Sequence, residues 1–183
     1  RRRRFGSRRH YCPNNKTYHE HSKRITQAMA ERYGNHPAVI GWQIDNEFGC
    51  YFARCYCEAC ATAFQNWLQK KYTSLDELNE RWGTIFWSQT YNDWGQIEPY
   101  NLTVAEPNPS HVLDYYRFAS DSWVAYQQIQ IDALRANISE RQFITHNVIA
   151  DLNTIDYHDL SRNLDSISWD SYPTGYAEMG SQN

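Results

Sequence analysis

Two groups of residues in this sequence could do chemistry. The first lies in the run GWQIDNEFGC at 41–50, where an apolar segment passes directly into Asp45, Asn46 and Glu47. A carboxyl beside an amide at the end of a buried strand suits general acid/base work. Among Trp42, Ile44 and Phe48 its pKa is expected to rise by desolvation, an effect that a neighbouring arginine would oppose. From this run alone the plainer role, capping the next helix or pairing with an arginine, stands level with the chemical one.

The second group is the five cysteines, Cys12, Cys50, Cys55, Cys57 and Cys60, three of which form the C-x-C-x-x-C of CYCEAC. Crowding makes mutual disulfides awkward, whereas thiolates so placed converge easily on one ion. A structural zinc takes four soft ligands in a tetrahedron, so either Cys12 or Cys50 would be the fourth. Reduced, inert thiols are the bland alternative. A catalytic cysteine is disfavoured because no histidine stands in an evident relation to these positions.

The elements that must position these groups alternate. Ile25, Ala28, Met29 and Tyr33 keep helical spacing over 18–34, with Gly34 and Pro37 as the stop. The run AVIGWQID (38–45) reads as a strand buried on both faces. A helix follows from Cys57 to about Tyr72, and Ser74-Leu75-Asp76-Glu77 resembles a capping box opening a short helix that Gly83 ends. Residues 84–109, rich in Trp, Tyr, Asn and Pro, read as a surface loop. Ser110 is expected to cap a helix to about Ala136, with Leu113, Tyr116, Trp123 and Leu134 inward. Strands at 142–148 and 165–170, separated by a helix near 157–162, complete an α/β order that implies a parallel sheet. Each strand ends in polar residues: Asn46 and Glu47, His146 and Asn147, Asp170 and Tyr172. In parallel α/β folds the chemistry collects at those carboxyl ends.

Bulk properties fit one soluble enzyme-like unit. The 183 residues are 41% hydrophobic and 15% aromatic, and the formal net charge is −3. The charge disfavours nucleic acid and anionic membranes as partners. The run RRRRFGSRR at the start is a local basic patch. No apolar stretch has the ~18 residues of a membrane span, and the chain is expected to be cytoplasmic.

The motifs FGSRRHYCPNN (5–15), GWQIDNEFG (41–49), RCYCEAC (54–60), LNERWGTIFWSQ (78–89) and SWDSYP (168–173) together resemble the β-galactosidases of glycoside hydrolase family 42. The resemblance implies a (β/α)8 TIM barrel, present here as a partial barrel of about strands 4 to 6. Residues 1–183 would be one unit, the central part of that domain, with a Cys-rich zinc-binding insertion near 50–60. It implies a retaining β-galactosidase acting on terminal non-reducing β-D-galactosides, with Glu47 as acid/base and Asn46 bonding the sugar 2-hydroxyl. Arg8, Trp87 (offered across a trimer interface), Tyr172 and Asn147 would contact the substrate. Structural zinc would sit on Cys12, Cys55, Cys57 and Cys60, and the full-length parent would be a homotrimer. Retention requires a second carboxylate ~5–5.5 Å from the first. In the family it follows the seventh strand, which puts it outside this chain, since Asp170 and Glu178 lack its context. A zinc-stabilised carbohydrate-binding module without catalysis is the competing reading.

Overall fold

A computed structural model describes residues 9–149 and 152–171. The order is α1 (Lys16–Tyr33), β1 (Gly41–Gln43), α2 (Glu58–Lys71), α3 (Leu75–Trp82), three short 3-10 turns, α4 (Pro109–Arg135), β2 (Phe143–Val148), α5 (Tyr157–Ser161) and β3 (Ser166–Trp169). The strands pair in parallel in the order β1-β2-β3. Trp42 stands opposite Ile144, and Asn147 opposite Ser168. Three parallel strands joined through helices form one sheet, as the alternation implied. β1 is shorter than the apolar run, although the ladder continues through Ile44, whose N–H donates to the Thr145 carbonyl at 2.8 Å.

Local chemistry sets the ends of the helices. The Asn15 side chain caps α1 by accepting from the Tyr18 N–H at 2.9 Å. At the other end Gly34 has φ −61, so no left-handed stop is needed there. Glycine is required because an added Cβ would lie 2.2 Å from the Asn137 carbonyl oxygen. Gly83, in contrast, ends α3 at φ 63, a backbone that side-chain-bearing residues resist. The capping box at 74–77 is half formed. Ser74 accepts from the Glu77 N–H, but the Glu77 carboxylate turns back to the N–H and hydroxyl of Thr73. The cap of α4 is Asn108 rather than Ser110. Its Oδ1 accepts from the N–H groups of Ser110 and His111, and Pro109 takes the first helical position.

Two cores lie along α4, a helix of 27 residues and hence about 40 Å long. Its second half, with Trp123, Tyr126, Ile131 and Leu134, packs on the sheet residues Ile44, Ile144 and Val148 and on Phe48. Its first half, with Tyr115 and Phe118, packs on Phe64, Leu68, Leu78, Trp82 and Ile97 together with Cys12 and Cys60. The stretch after α3 is therefore more than a surface loop, since Ile97 is fully buried. Between α2, α3 and α4 the carboxylate of Asp114 accepts from Lys71, from the Tyr72 hydroxyl at 2.6 Å and from Trp82 Nε1 at 3.1 Å. Burial opposes its ionisation, but these donors win and hold its pKa below the ordinary value.

Two expected stripes face outward. Ile25, Met29 and Tyr33 are about half exposed, while α1 meets α4 through Ala30 and Ser22. Leu113 and Tyr116 on α4 are also exposed, although Trp123 and Leu134 are buried as expected. Helical spacing marks a stripe but not which neighbour covers it, and the small side chains of Ala30 and Ser22 let α1 approach the aromatic face of α4 closely.

Candidate active site

After Ile44 the chain leaves the ladder and adopts left-handed backbone at Asp45 (φ 48) and Glu47 (φ 43). Such conformations cost of order 1–3 kcal/mol each in non-glycine residues and persist only where surroundings enforce them. Here the neighbouring strand enforces them. His146 Nδ1 donates to the Ile44 carbonyl at 2.7 Å, and its Nε2 accepts from the Phe48 N–H at 3.2 Å. The ring is therefore the neutral Nδ1–H tautomer. Burial holds its pKa below the ordinary value. Asn147 Oδ1 accepts from the Glu47 N–H and from Gln43 Nε2, both at 3.2 Å. Its Nδ2 donates to Asn46 Oδ1 at 3.0 Å and to Asp170 Oδ1 at 3.2 Å.

The Asn46 amide in turn donates to Glu47 Oε2 at 3.1 Å. Arg9 arrives from the N-terminal segment, donating through Nη1 to the Asn46 carbonyl and to the Tyr11 hydroxyl. Its Nη2 lies 3.8 Å from Glu47 Oε2, with side-chain exposures of 7% for Arg9 and 16% for Glu47. Among the described residues that buried Nη2 has no hydrogen-bond partner. The arrangement places a nearly buried carboxyl, a primary amide and a cation at the carboxyl end of a parallel strand. A carboxyl so held can give up and take back a proton beside a bound polyol.

Of the residues expected at this site, Glu47, Asn46 and Asn147 come together, while Arg8 and Tyr172 lie outside the described residues. Trp87 sits at φ 52 in the 3-10 turn Phe86–Ser88 and is 75% exposed. Its ring stacks on Phe86, and among the described residues no ring contact or hydrogen bond ties it to Glu47. Sequence reasoning passed over Arg9, and noted His146 only as a polar strand end without giving it a role. The doubled arginine of GSRR was visible, but spacing does not say that Arg9 reaches Glu47.

The thiols form a second centre. The sulfurs of Cys12, Cys55, Cys57 and Cys60 all lie within 4.8 Å of one another. Cys12 is 3.4 Å from Cys60 and 3.5 Å from Cys57. Four sulfurs at ~2.3 Å from a tetrahedral ion would stand about 3.8 Å apart, so the donor set fits a metal ion. The fourth member of the cluster is Cys12 rather than Cys50. Asn14, not singled out beforehand, sends its backbone N–H to Cys12 Sγ at 3.3 Å and its Nδ2 to Cys60 Sγ at 3.4 Å. Such donors favour thiolate over thiol. So close together, the thiols share charge unequally. Hydrogen bonds from Cys12 and Cys60 lower the Cys55 pKa, the bond to Cys55 raises Cys12, and bonds to Cys12 and then Cys55 raise Cys60. The other group of ligand types, Asp156, His158 and Asp159, is largely exposed, and Asp156 is occupied in capping α5.

Comparison with known proteins gives the family. The family profile described as Beta-galactosidase, glycoside hydrolase family 42, matches residues 1–183. A β-galactosidase of Thermus thermophilus is 50% identical over 180 residues, 98% of this chain and 28% of the relative. The β-galactosidase Bga of Halorubrum lacusprofundi is 47% identical over 177 residues, 96% of this chain and 25% of the relative. Among solved structures, the β-galactosidase of the psychrophilic Marinomonas ef1 gives a TM-score of 0.91 at 46% identity, covering 94% of this chain and 26% of that one. The β-galactosidase of Halorubrum lacusprofundi gives 0.92 at 46% identity, covering 99% and 27%. The chain therefore spans about a quarter of the length of these relatives, and its sheet is an arc of their barrel. The chain belongs to the β-galactosidase family of glycoside hydrolases, family 42.

Proposed function

We propose that this chain carries the acid/base half of a retaining β-galactosidase centre acting on terminal non-reducing β-D-galactosides. The observation that supports it most is the Glu47 carboxyl, nearly buried at the carboxyl end of β1 with Arg9 and Asn46 against it. A glycosidic oxygen leaves poorly unless protonated, so Glu47 gives its proton to the departing oxygen. It then takes one from the water that attacks the galactosyl-enzyme. Asn46 bonds the 2-hydroxyl, where contacts strengthen as the ring gains oxocarbenium character. Arg8, Trp87 and Tyr172 complete the sugar site, with Trp87 reaching it across the interface of a homotrimer, while Asn147, expected there too, has both amide atoms bonded to the chain itself. In that arrangement the exposure of Trp87 is filled by a neighbouring subunit. The nucleophilic carboxylate is supplied by the full-length parent outside this chain.

Cys12, Cys55, Cys57 and Cys60 would hold a structural zinc, whose chemistry is to neutralise the four sulfurs and cross-link the N-terminal segment to the start of α2. A cytoplasmic location would keep these thiols reduced, and neither nucleic acid nor membrane is a partner. Among the described residues no helix is long and apolar enough to cross a membrane. The test is Glu47→Gln in the full-length enzyme, assayed on methyl β-galactoside and on 2,4-dinitrophenyl β-galactoside. Loss of the acid should cost about 10²–10⁴-fold on the substrate that needs a proton and far less in kcat/KM on the one that does not. Equal activity on both would reject Glu47 as acid/base. Galactose binding without hydrolysis by the native full-length enzyme would favour the carbohydrate-binding module instead.

A further inference from the structure

A carboxyl that must meet a glycosidic oxygen needs a defined position, and β1 does not provide one, because its ladder ends at Ile44 before the two left-handed residues. We propose that His146 and Asn147 are positioning residues, a two-residue clamp on β2 that sets where the Glu47 carboxyl stands. The proposal rests on the reading of Glu47 as the acid/base.

Adjacent residues of a strand point to opposite faces, so the pair grips the 45–48 segment from both sides. On the helix side His146 bridges the two ends of that segment, the Ile44 carbonyl and the Phe48 N–H. Its ring stacks on Phe48 at 4.2 Å between centroids. On the other face Asn147 holds the middle, accepting from the Glu47 N–H and donating to the Asn46 side chain that itself touches the Glu47 carboxylate. Both rigid-body freedoms of the segment, sliding along β2 and tilting about its ends, are thereby closed.

Burial separates this role from a catalytic one. His146 is fully buried and Asn147 is 4% exposed. Both ring nitrogens of His146 are engaged, as are both amide atoms of Asn147. Neither side chain has a free atom to offer a sugar. The clamp also fixes the identity of each residue. The first must donate from one side of a flat ring and accept on the other, and the second must accept a backbone N–H while donating to a second amide. Of the common side chains, a neutral histidine and an asparagine meet those demands in this space.

The experiment uses the full-length enzyme with His146→Phe, which keeps the stack but neither bond, and Asn147→Ala. Glu47→Gln serves as reference. Methyl β-galactoside needs a proton on its leaving group, whereas 2,4-dinitrophenyl β-galactoside does not. Azide attacks the anomeric carbon of the galactosyl-enzyme, the enzyme's carboxylate departs with the bonding pair, and no base is required. A displaced Glu47 should cost about 100-fold in kcat/KM on the methyl galactoside, with little change in kcat/KM on the dinitrophenyl substrate. The lowered kcat on the latter should recover with azide, giving β-galactosyl azide, as in Glu47→Gln. Equal losses on both substrates without azide rescue would overturn the proposal and leave a folding role. Activity like the parent's in either variant would overturn it as well. If Glu47→Gln itself shows neither signature, the acid/base reading has failed rather than the clamp. Should His146→Phe not fold, Asn147→Ala decides by the same readouts.

Discussion

The end of the sheet and the thiol lobe solve the same problem, holding polar groups in a buried setting, in opposite ways. Around Glu47 the protein supplies its own partners. His146, Asn147, Asn46 and Asp45 form a connected network with donors matched to acceptors, in which Asp45 accepts from the Asn46 N–H and the Tyr126 hydroxyl. The lobe built on α2 and α3 does not close in this way. Its four sulfurs have chiefly one another and Asn14 as neighbours, and more than one cannot carry charge at that spacing without a cation. The two buried histidines repeat the contrast. His146 uses both nitrogens, whereas His111, stacked between Phe64 and Trp82, has no partner for Nε2 among the described residues. The sheet end is finished throughout by hydrogen bonds, and the lobe relies on apolar packing, on the single Asp114 cluster and, as proposed, on an ion.

Removing the ion should break this contrast most strongly. One equivalent of zinc per chain is expected by elemental analysis of the full-length enzyme, with apparent binding of about 10–16 kcal/mol. Cys57→Ser or prolonged chelation should raise hydrogen exchange in α2 and α3 before it does so in β1 and β2. A zinc-free native enzyme with unchanged exchange would sink the metal assignment. Next in size is Asp114→Ala, which strands the donors of Lys71, Tyr72 and Trp82 and should destabilise the lobe by about 3–5 kcal/mol, read from denaturant unfolding followed by Trp82 fluorescence. A loss below ~1 kcal/mol would mean that these donors find water instead.

His111 should give the lobe an acid limit. Burial lowers its pKa to about 4 from 6.5, so above pH ~6.5 it is neutral folded or unfolded and stability is complete. As pH falls from there, the unfolded chain takes the proton first, and on the order of 3 kcal/mol is lost by pH ~4. His111→Phe should flatten that limb, which melting temperatures across pH 4–7 would show. Smallest is Asn108→Ala, which removes the cap of α4 and the bond from Asn108 Nδ2 to the Trp82 carbonyl. It should cost roughly 1 kcal/mol, felt in the first half of α4 rather than at Glu47.

How far the sequence could be read depended on the range of the interaction. The alternation of helices and strands, the parallel sheet and the polar strand ends were visible because period and turn residues are local signals. The stop at Gly34 was placed correctly for a reason the sequence did not show, the close approach of the Asn137 carbonyl. The outward stripes of Ile25 and Leu113 escaped because periodicity names a face without naming its neighbour. At the site, Glu47 and Asn46 were legible from their position after an apolar strand. The roles of Arg9 and His146 were not, since their partners lie 37 and 102 residues away in sequence.

By itself the sequence determined which chemistry was at hand: a carboxyl and an amide closing a buried strand, and thiols spaced for an ion, because residue type and short spacing fix reactive groups and their local elements. Only the tertiary structure decided that Arg9 stands beside Glu47, that Cys12 rather than Cys50 joins the thiol cluster, and that His146 and Asn147 bond the segment carrying Glu47. Those choices are made by side chains meeting across parallel strands and between lobes, where burial and matched donors and acceptors, rather than neighbours in the chain, set the energy.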